Sequence, residues 1–254
     1  MIAIHRWHQP PSRGTMILPE GEIHVWRVDL DQLARHAEHW AQMLSPDEHS
    51  RAERFHLEQN RRRFIVGRGC LRAILGNYLG MRPAHVEFRY GLYGKPTLSH
   101  LCDRPPLHFN SSHSDGFALH AVGLNSELGI DLERIRSIPE IDQIVEQFFS
   151  PEEKILLSTI SLSDRQEAFF RCWTRKEAYL KACGVGFARP LDYNDILVGV
   201  YKPEKSMGND HAASETCEVP SWSFVDLSPA EGYAASLAVR GANWRVVPWH
   251  CSGP

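Results

Sequence analysis

The sequence predicts a mixed α+β fold, and three observations lead to it. Strand-like segments such as "EIHVWRVDL" (22–30) and "FALHAVG" (117–123) are interspersed with helix-period segments such as "RRRFIVGRGCLRAILGNYLG" (61–80). A chain of 254 residues with 43% hydrophobic content can fill a sizeable core, as one large domain or two small ones. Finally, "LSPDE" (44–48) returns as "FSPEE" (149–153) at an offset of 105, where Phe64 also meets Phe169, Ala73 meets Ala178 and Leu75 meets Leu180. From the residues alone the echo is either a duplication that made two similar halves or a common helix start used twice.

Residues 1–20 hold Pro10, Pro11, Gly14 and Pro19 and read as an extended arm before the strand 22–30. Two helical segments follow. Ser45 suits an N-cap, with Pro46 at the first helical position and Asp47 and Glu48 in the first turn. In the second, Phe64, Cys70, Leu71, Ile74, Leu75 and Tyr78 form an apolar stripe. "HVEFRY" reads as a strand, "GLYGKP" as a turn, and "LHFNSS" and "FALHAVG" as two more strands. After "FSPEE", "FFRCWTRKEAYLKACGVGF" (169–187) reads as a helix ended by Gly184. Polar residues 202–220 form a loop, and "SWSFVDL" and "GYAASLAVR" are closing strands.

A net charge of −3 argues against a general nucleic-acid or membrane-surface binder. Cys70, Cys102, Cys172, Cys183, Cys217 and Cys251 include no CxxC pair, so reduced cytosolic thiols are expected rather than a zinc ribbon or a redox site. The N-terminus lacks the pattern of a signal peptide and no stretch reaches the ~20 apolar residues of a membrane span, so a cytoplasmic protein is expected. P-loop, HExxH and GxSxG motifs are missing, which removes three enzyme classes from first consideration.

"GIDLERI" (129–135) carries the chemistry. In a strand Asp131 and Glu133 share one face, their Cα atoms roughly 6.5–7 Å apart. Two carboxylates so placed raise one another's pKa unless a cation lies between them. On the helix 169–187, Trp173, Glu177 and Lys181 are spaced four apart on one face, where a buried Trp173 would anchor an acid and a base. A three-carboxylate magnesium site is one reading; a solvated strand end and an ordinary helical ion pair are the other. "FNSSHSD" (109–115) is either part of a site or a polar turn, and His36 and His39 read as solvated. Arg51, Arg54, Arg61, Arg62, Arg63, Arg68 and Arg72 form the one dense basic region, either a solvated face or a grip on phosphates.

Taken in order, "SPDEHSRAERF", "RRRFIVGRGCLR", "YGKP", "FNSSHS", "GIDLERI", "FFSPEE", "WTRKEAYLKACGVGF" and "GYAASLAV" resemble the phosphopantetheinyl transferases of the long, surfactin-synthetase-activating type, over about residues 44–239. GIDxE combined with WxxKEAxxK is the specific part. The resemblance implies two similar α/β halves related by a pseudo-twofold axis, residues 1–125 and 126–254, with the active site between them in a monomer. It implies magnesium-dependent transfer of the phosphopantetheine arm of coenzyme A to a serine of an apo acyl or peptidyl carrier protein. Asp131, Glu133 and Glu177 would be the metal ligands, and Glu177, Lys181 and Asp131 the catalytic set, with Glu177 as hypothesised base, directly or through water. Ser112, His113 and Lys181 would meet coenzyme A phosphates, Lys95 the nucleotide end, and Arg51 and Arg63 the ribose phosphate. Residues 134–148 would supply part of the carrier-binding surface. Glu48 departs from relatives with a basic residue there, and Phe64 stands where some have a small hydroxyl residue. A non-catalytic coenzyme A or carrier-binding module and a metal-dependent phosphodiesterase are the alternative functions.

Overall fold

Apolar residues on both faces of "EIHVWRVD" bury most of the first strand: in β1 (Glu22–Asp29), Ile23, Val25 and Val28 are each 0% exposed. A computed structural model describes residues 6–10, 16–99, 106–184 and 222–253. Asp29 then caps α1 (Leu30–Leu33) by accepting from Gln32 N at 2.8 Å. Between it and the first expected helix lie a 3-10 turn (Ala34–His36) and α2 (Ala37–Ala41), on which His39 is exposed. These short turns carry too few residues for a period to show. Next come α3 (Pro46–Ala52), α4 (Glu58–Leu79), the hairpin β2 (Phe88–Tyr90) and β3 (Pro96–Leu98), and the strands β4 (Leu107–Ser114), β5 (Phe117–Leu124) and β6 (Leu128–Arg134). The chain continues through α5 (Ile141–Phe148), α6 (Pro151–Thr159) and α7 (Leu162–Cys183) to β7 (Trp222–Leu227), β8 (Tyr233–Arg240) and β9 (Arg245–His250).

β4, β5, β1 and β9 form one sheet, and β6, β8 and β7 a second. One core joins them: Ile23, Val25, Leu119 and Ala121 of the first pack with Leu128, Ile130, Leu132, Leu227 and Leu237 of the second. Another lies under α4, with Trp26, Val28, Val66, Cys70, Leu71 and Leu75. β9 has no counterpart among the strands the sequence predicts. It holds Pro248, which argues against a central strand, yet it lies at the sheet edge, parallel to β1. His8 bridges to it through His8 N to Pro248 O (3.0 Å) and His250 N to His8 O (2.7 Å), so the described part of the N-terminal arm covers that edge. The expected loop 202–220, the helix tail beyond Gly184, and Cys102 and Cys217 lie outside the described residues.

The two echoing helix starts have the same construction. Ser45 N donates to Glu48 Oε2 (3.0 Å), and Ser150 N to Glu153 Oε2 (2.8 Å), the reciprocal arm of a capping box. Each glutamate is buried and paired with the following 22-residue helix: Glu48 with Arg68 and Arg72 of α4, Glu153 with Lys176 of α7 at 2.8 Å. Both long helices end on a left-handed glycine, Gly80 at φ 64° and Gly184 at φ 68°. Glu48 is thus acidic because the buried Arg72 and the partly buried Arg68 require it. Glu153→Ala is expected to cost about 3–5 kcal/mol in denaturant unfolding, because it removes the anion facing a buried ammonium.

Candidate functional site

β6 and α7 meet at Gly129. A Cβ there would overlap the carbonyl oxygen of Ala178 and the backbone nitrogen of Ala182, and would stand 2.9 Å from the Cα of Ala182. Only glycine allows so close an approach of helix to strand. With α7 seated there, Lys181 reaches Asp131 two residues along the strand: Lys181 Nζ lies 2.6 Å from Asp131 Oδ1 and 3.0 Å from Ser112 Oγ. Ser112 Oγ in turn donates to Asp131 Oδ1 at 3.0 Å.

"FNSSHS" is strand rather than turn; the turn falls at Asp115, whose φ is 46°. Alternate side chains of β4 reach across to β6. Ile130 N donates to Asn110 Oδ1 (2.9 Å), Arg134 N to Ser114 Oγ (3.0 Å), and Ser114 Oγ to Glu133 Oε2 (3.0 Å). Asn110, Ser112 and Ser114 therefore serve the neighbouring strand of the second sheet. Ser112 is committed to Asp131 and Lys181, and His113 points to the opposite face of the strand.

The carboxylates act on one another. Glu177 is pushed up to about 7, chiefly by burial and next by the charge of Asp131, with Lys181 opposing. Glu133 is raised by burial and by Asp131, with the Ser114 hydrogen bond opposing. Asp131 is 2% exposed, and its Oδ2 is buried with no hydrogen-bond partner. The three do not close on one point: among the described residues no three histidine, cysteine or carboxylate side chains converge closely enough to hold a metal ion as they stand. Like charges repel, and the Lys181 ammonium supplies the positive charge at Asp131. The donor set nonetheless fits a hard cation, being all oxygen, mutually repelling and carrying one buried oxygen without a partner. Trp173 is only partly buried; it stacks on Phe169 at 6.0 Å between ring centroids, and the apolar anchors buried from α7 include Phe169, Phe170, Ala178 and Leu180.

Two cavities share the Ser111 wall. The larger, about 510 Å³, is lined by Arg51, Arg63, Arg68, Ser112, His113 and Arg136, among others. The smaller, about 220 Å³, is lined by Tyr93, Lys95, Asn110, Glu177, Leu180 and Lys181, among others. Arg51 stands over the Phe64 ring at 5.2 Å, a cation–π contact. Arg63 is held by Asp31 through Nε and Nη2, both at 2.7 Å. The His113 imidazole keeps an exposed edge but lies below its ordinary value, through desolvation and then the charges of Lys181 and Arg51. Lys95 lines the smaller cavity, beside Glu177 and Lys181 rather than beside the arginines. Its ammonium donates to Ala182 O (2.9 Å) and Leu128 O (3.2 Å).

Sequence reasoning missed Asp31 and Arg136, and named Arg68 only as one of seven clustered arginines. Arg68 was legible in part, since Asn60, Phe64, Gly67, Arg68 and Leu71 recur at helical spacing on one face of α4 and all line the larger cavity. Asp31 had no signal: 32 residues separate it from its partner Arg63.

Residues 127–238 match the family model described as the 4'-phosphopantetheinyl transferase superfamily, and residues 31–124 match the model described as 4'-phosphopantetheinyl transferase, N-terminal. The chain is 39% identical, over 97% of its length and 98% of the relative's, to 4'-phosphopantetheinyl transferase HetI of Nostoc sp.. It is 28% identical, over 61% of its length and 66% of the relative's, to 4'-phosphopantetheinyl transferase Sfp of Bacillus subtilis. It is 24% identical, over 91% of its length and 79% of the relative's, to the L-aminoadipate-semialdehyde dehydrogenase-phosphopantetheinyl transferase of Mus musculus.

Proposed function

The chain belongs to the 4'-phosphopantetheinyl transferase superfamily, and from that premise we propose that it moves the phosphopantetheine arm of coenzyme A onto a serine of an apo acyl or peptidyl carrier protein. The observation that carries the reading is the junction of Asp131, Ser112 and Lys181 beside Glu177, set between a cavity that Lys95 and Lys181 line and a larger one that arginines line. In the proposed reaction the serine oxygen bonds to the phosphorus that bears the pantetheine arm. The bond from that phosphorus to the departing adenosine bisphosphate breaks, and the serine proton leaves.

Arg51, Arg63 and His113 supply cationic and hydrogen-bonding groups for phosphates, and Arg63 is preset for this by Asp31. Lys181 places an ammonium beside Ser112, where diphosphate charge would lie. Glu177 would take the serine proton directly or through water; its pKa near 7 is that of the metal-free protein, and a bound cation would lower it. Asp131, Glu133 and Glu177 would hold a magnesium ion; when bound it supplies positive charge to the diphosphate and its leaving group. The paired cap motifs and the two equal long helices support the reading of two α/β halves, 1–125 and 126–254, with β9 crossing back to the first. Among the described residues no helix is long and apolar enough to cross a membrane.

Incubation with an apo carrier protein, coenzyme A and magnesium, followed by mass spectrometry, tests the reading. Addition of the phosphopantetheine arm to the carrier serine is expected. Free phosphopantetheine with an unmodified carrier would instead indicate a phosphodiesterase, and an unchanged mixture a binding module.

A further inference from the structure

α7 crosses the β6–β8–β7 sheet on a smooth interface. Thr174 and Ala178, both 0% exposed, and Ala182 face it, and Gly129 lies beneath them. Along this central line small side chains offer few ridges to resist rotation or sliding of the helix, while on the β7 flank Tyr179 packs edge-on against Trp222 at 5.2 Å between ring centroids and lies beside Phe224. A row of polar contacts also crosses the interface. Asp131 of β6 and Asp226 of β7 both stand opposite Ser236 of β8 in register. Each member of this row is bonded to α7. Lys181 takes Asp131, and Thr174 Oγ1 lies 3.1 Å from Ser236 Oγ. Arg175 grips Asp226 with Nε to Oδ1 at 2.8 Å and Nη2 to Oδ2 at 2.5 Å. Arg171 Nη2 adds a contact at 3.1 Å, and Ser236 Oγ donates to Asp226 Oδ1 at 3.3 Å.

Asp226 is 4% and Arg175 5% exposed. A buried ion pair contributes little net stability relative to apolar residues of the same shape, but it admits only one registry. On a helical wheel Arg171 and Arg175 lie on one flank of the sheet-facing line, and Glu177 and Lys181 on the other. Turning α7 about its axis, or sliding it by a residue, would break the two-point contact at Asp226 and carry Glu177 away from Asp131.

We propose that Asp226 and Arg175 are positioning residues, a clamp on the β7 flank that sets the rotation and translation of α7 so that Glu177 faces Asp131 and Glu133. This rests on the reading of those three carboxylates as the cation-holding set. Neither residue of the clamp touches substrate; both act through the helix.

Full-length wild type, D226N, and the apolar pair R175M/D226L are compared in three measurements. These are Mn²⁺ binding followed by loss of the free-ion electron paramagnetic resonance signal, transfer rate against magnesium and against coenzyme A, and thermal unfolding. D226N is expected to weaken Mn²⁺ binding and raise half-saturating magnesium about tenfold, in the range seen when groups supporting metal ligands are removed, with the KM for coenzyme A within about twofold of wild type. R175M/D226L, which leaves Arg171 able to reach solvent, is expected to unfold no earlier than wild type yet to show the same metal defect. Should D226N fail to fold, the apolar pair carries the test. Mn²⁺ binding at wild-type strength in a folded variant would overturn the clamp and leave the transfer reading intact. A wild type that neither binds Mn²⁺ nor modifies a carrier would overturn both.

Discussion

Asp131→Asn is expected to lower the rate of carrier modification on the order of 10³-fold while changing folding stability by no more than about 1 kcal/mol. Asp131 lies at the centre of the site: its Oδ1 receives both Ser112 and Lys181, and its charge raises Glu177 and Glu133. Asn keeps the shape and an oxygen for Ser112, but not the negative charge that would face a cation. The stability cost is small for three reasons. Asp131 Oδ2 has no partner to lose, two neighbouring carboxylates are relieved of repulsion, and the Lys181 side chain, 31% exposed, can turn to solvent. Mass spectrometry of the carrier and chemical denaturation measure the two effects. A variant that unfolds several kcal/mol more easily would mark Asp131 as a structural residue, and one that transfers at the wild-type rate would remove it from the chemistry.

Glu177→Gln is expected to abolish most turnover, by about 10²–10⁴-fold, as for loss of a general base, and to flatten the pH dependence of stability. The folded-state pKa of about 7 lies above the ordinary carboxylate value of about 4.3. A raised folded pKa means that the folded state binds the proton more tightly. Its stabilisation is fully present below the unfolded value and is lost as the pH rises through 7. Gln resembles the protonated acid, so the variant should keep that stabilisation at every pH, and its advantage over the wild type should open between about pH 4 and 7. Adding magnesium should restore the wild type above pH 7 and do less for the variant. Denaturant midpoints measured at pH 4.5, 6 and 8, with and without magnesium, decide it; parallel curves for the two proteins would show that Glu177 is not perturbed in the metal-free protein.

Local chemistry was legible wherever a few neighbouring residues settle it. The Ser-Pro starts of α3 and α6 and the glycine stop of α7 follow from capping alone, and the structure has all three. Elements whose signal depends on remote partners were misjudged. α7 begins seven residues before the expected 169, because its exposed first turns carry no apolar stripe. β4 runs on through Ser114 because Asn110, Ser112 and Ser114 bond to β6, which no local propensity registers. The reason for glycine at position 129, the close passage of α7, is invisible without the helix in place.

The amino-acid order by itself determined which residues are chemically able to act: an acidic pair on one strand face, an acid and a base one helical turn apart, and an arginine-rich helix. It did so because side-chain identity and the periods of strand and helix are local properties. Tertiary structure alone decided what those residues meet. Lys181 neutralises Asp131, Ser112 belongs to that pair, Asp31 holds Arg63, and Arg175 is buried against Asp226. These contacts join segments 32 to 69 residues apart, except the 19-residue step from Ser112 to Asp131 between strands of the two sheets. Pairing at such distance is selected by the packing of the whole core, and a charge acquires its working pKa only from the burial and neighbours that this packing imposes.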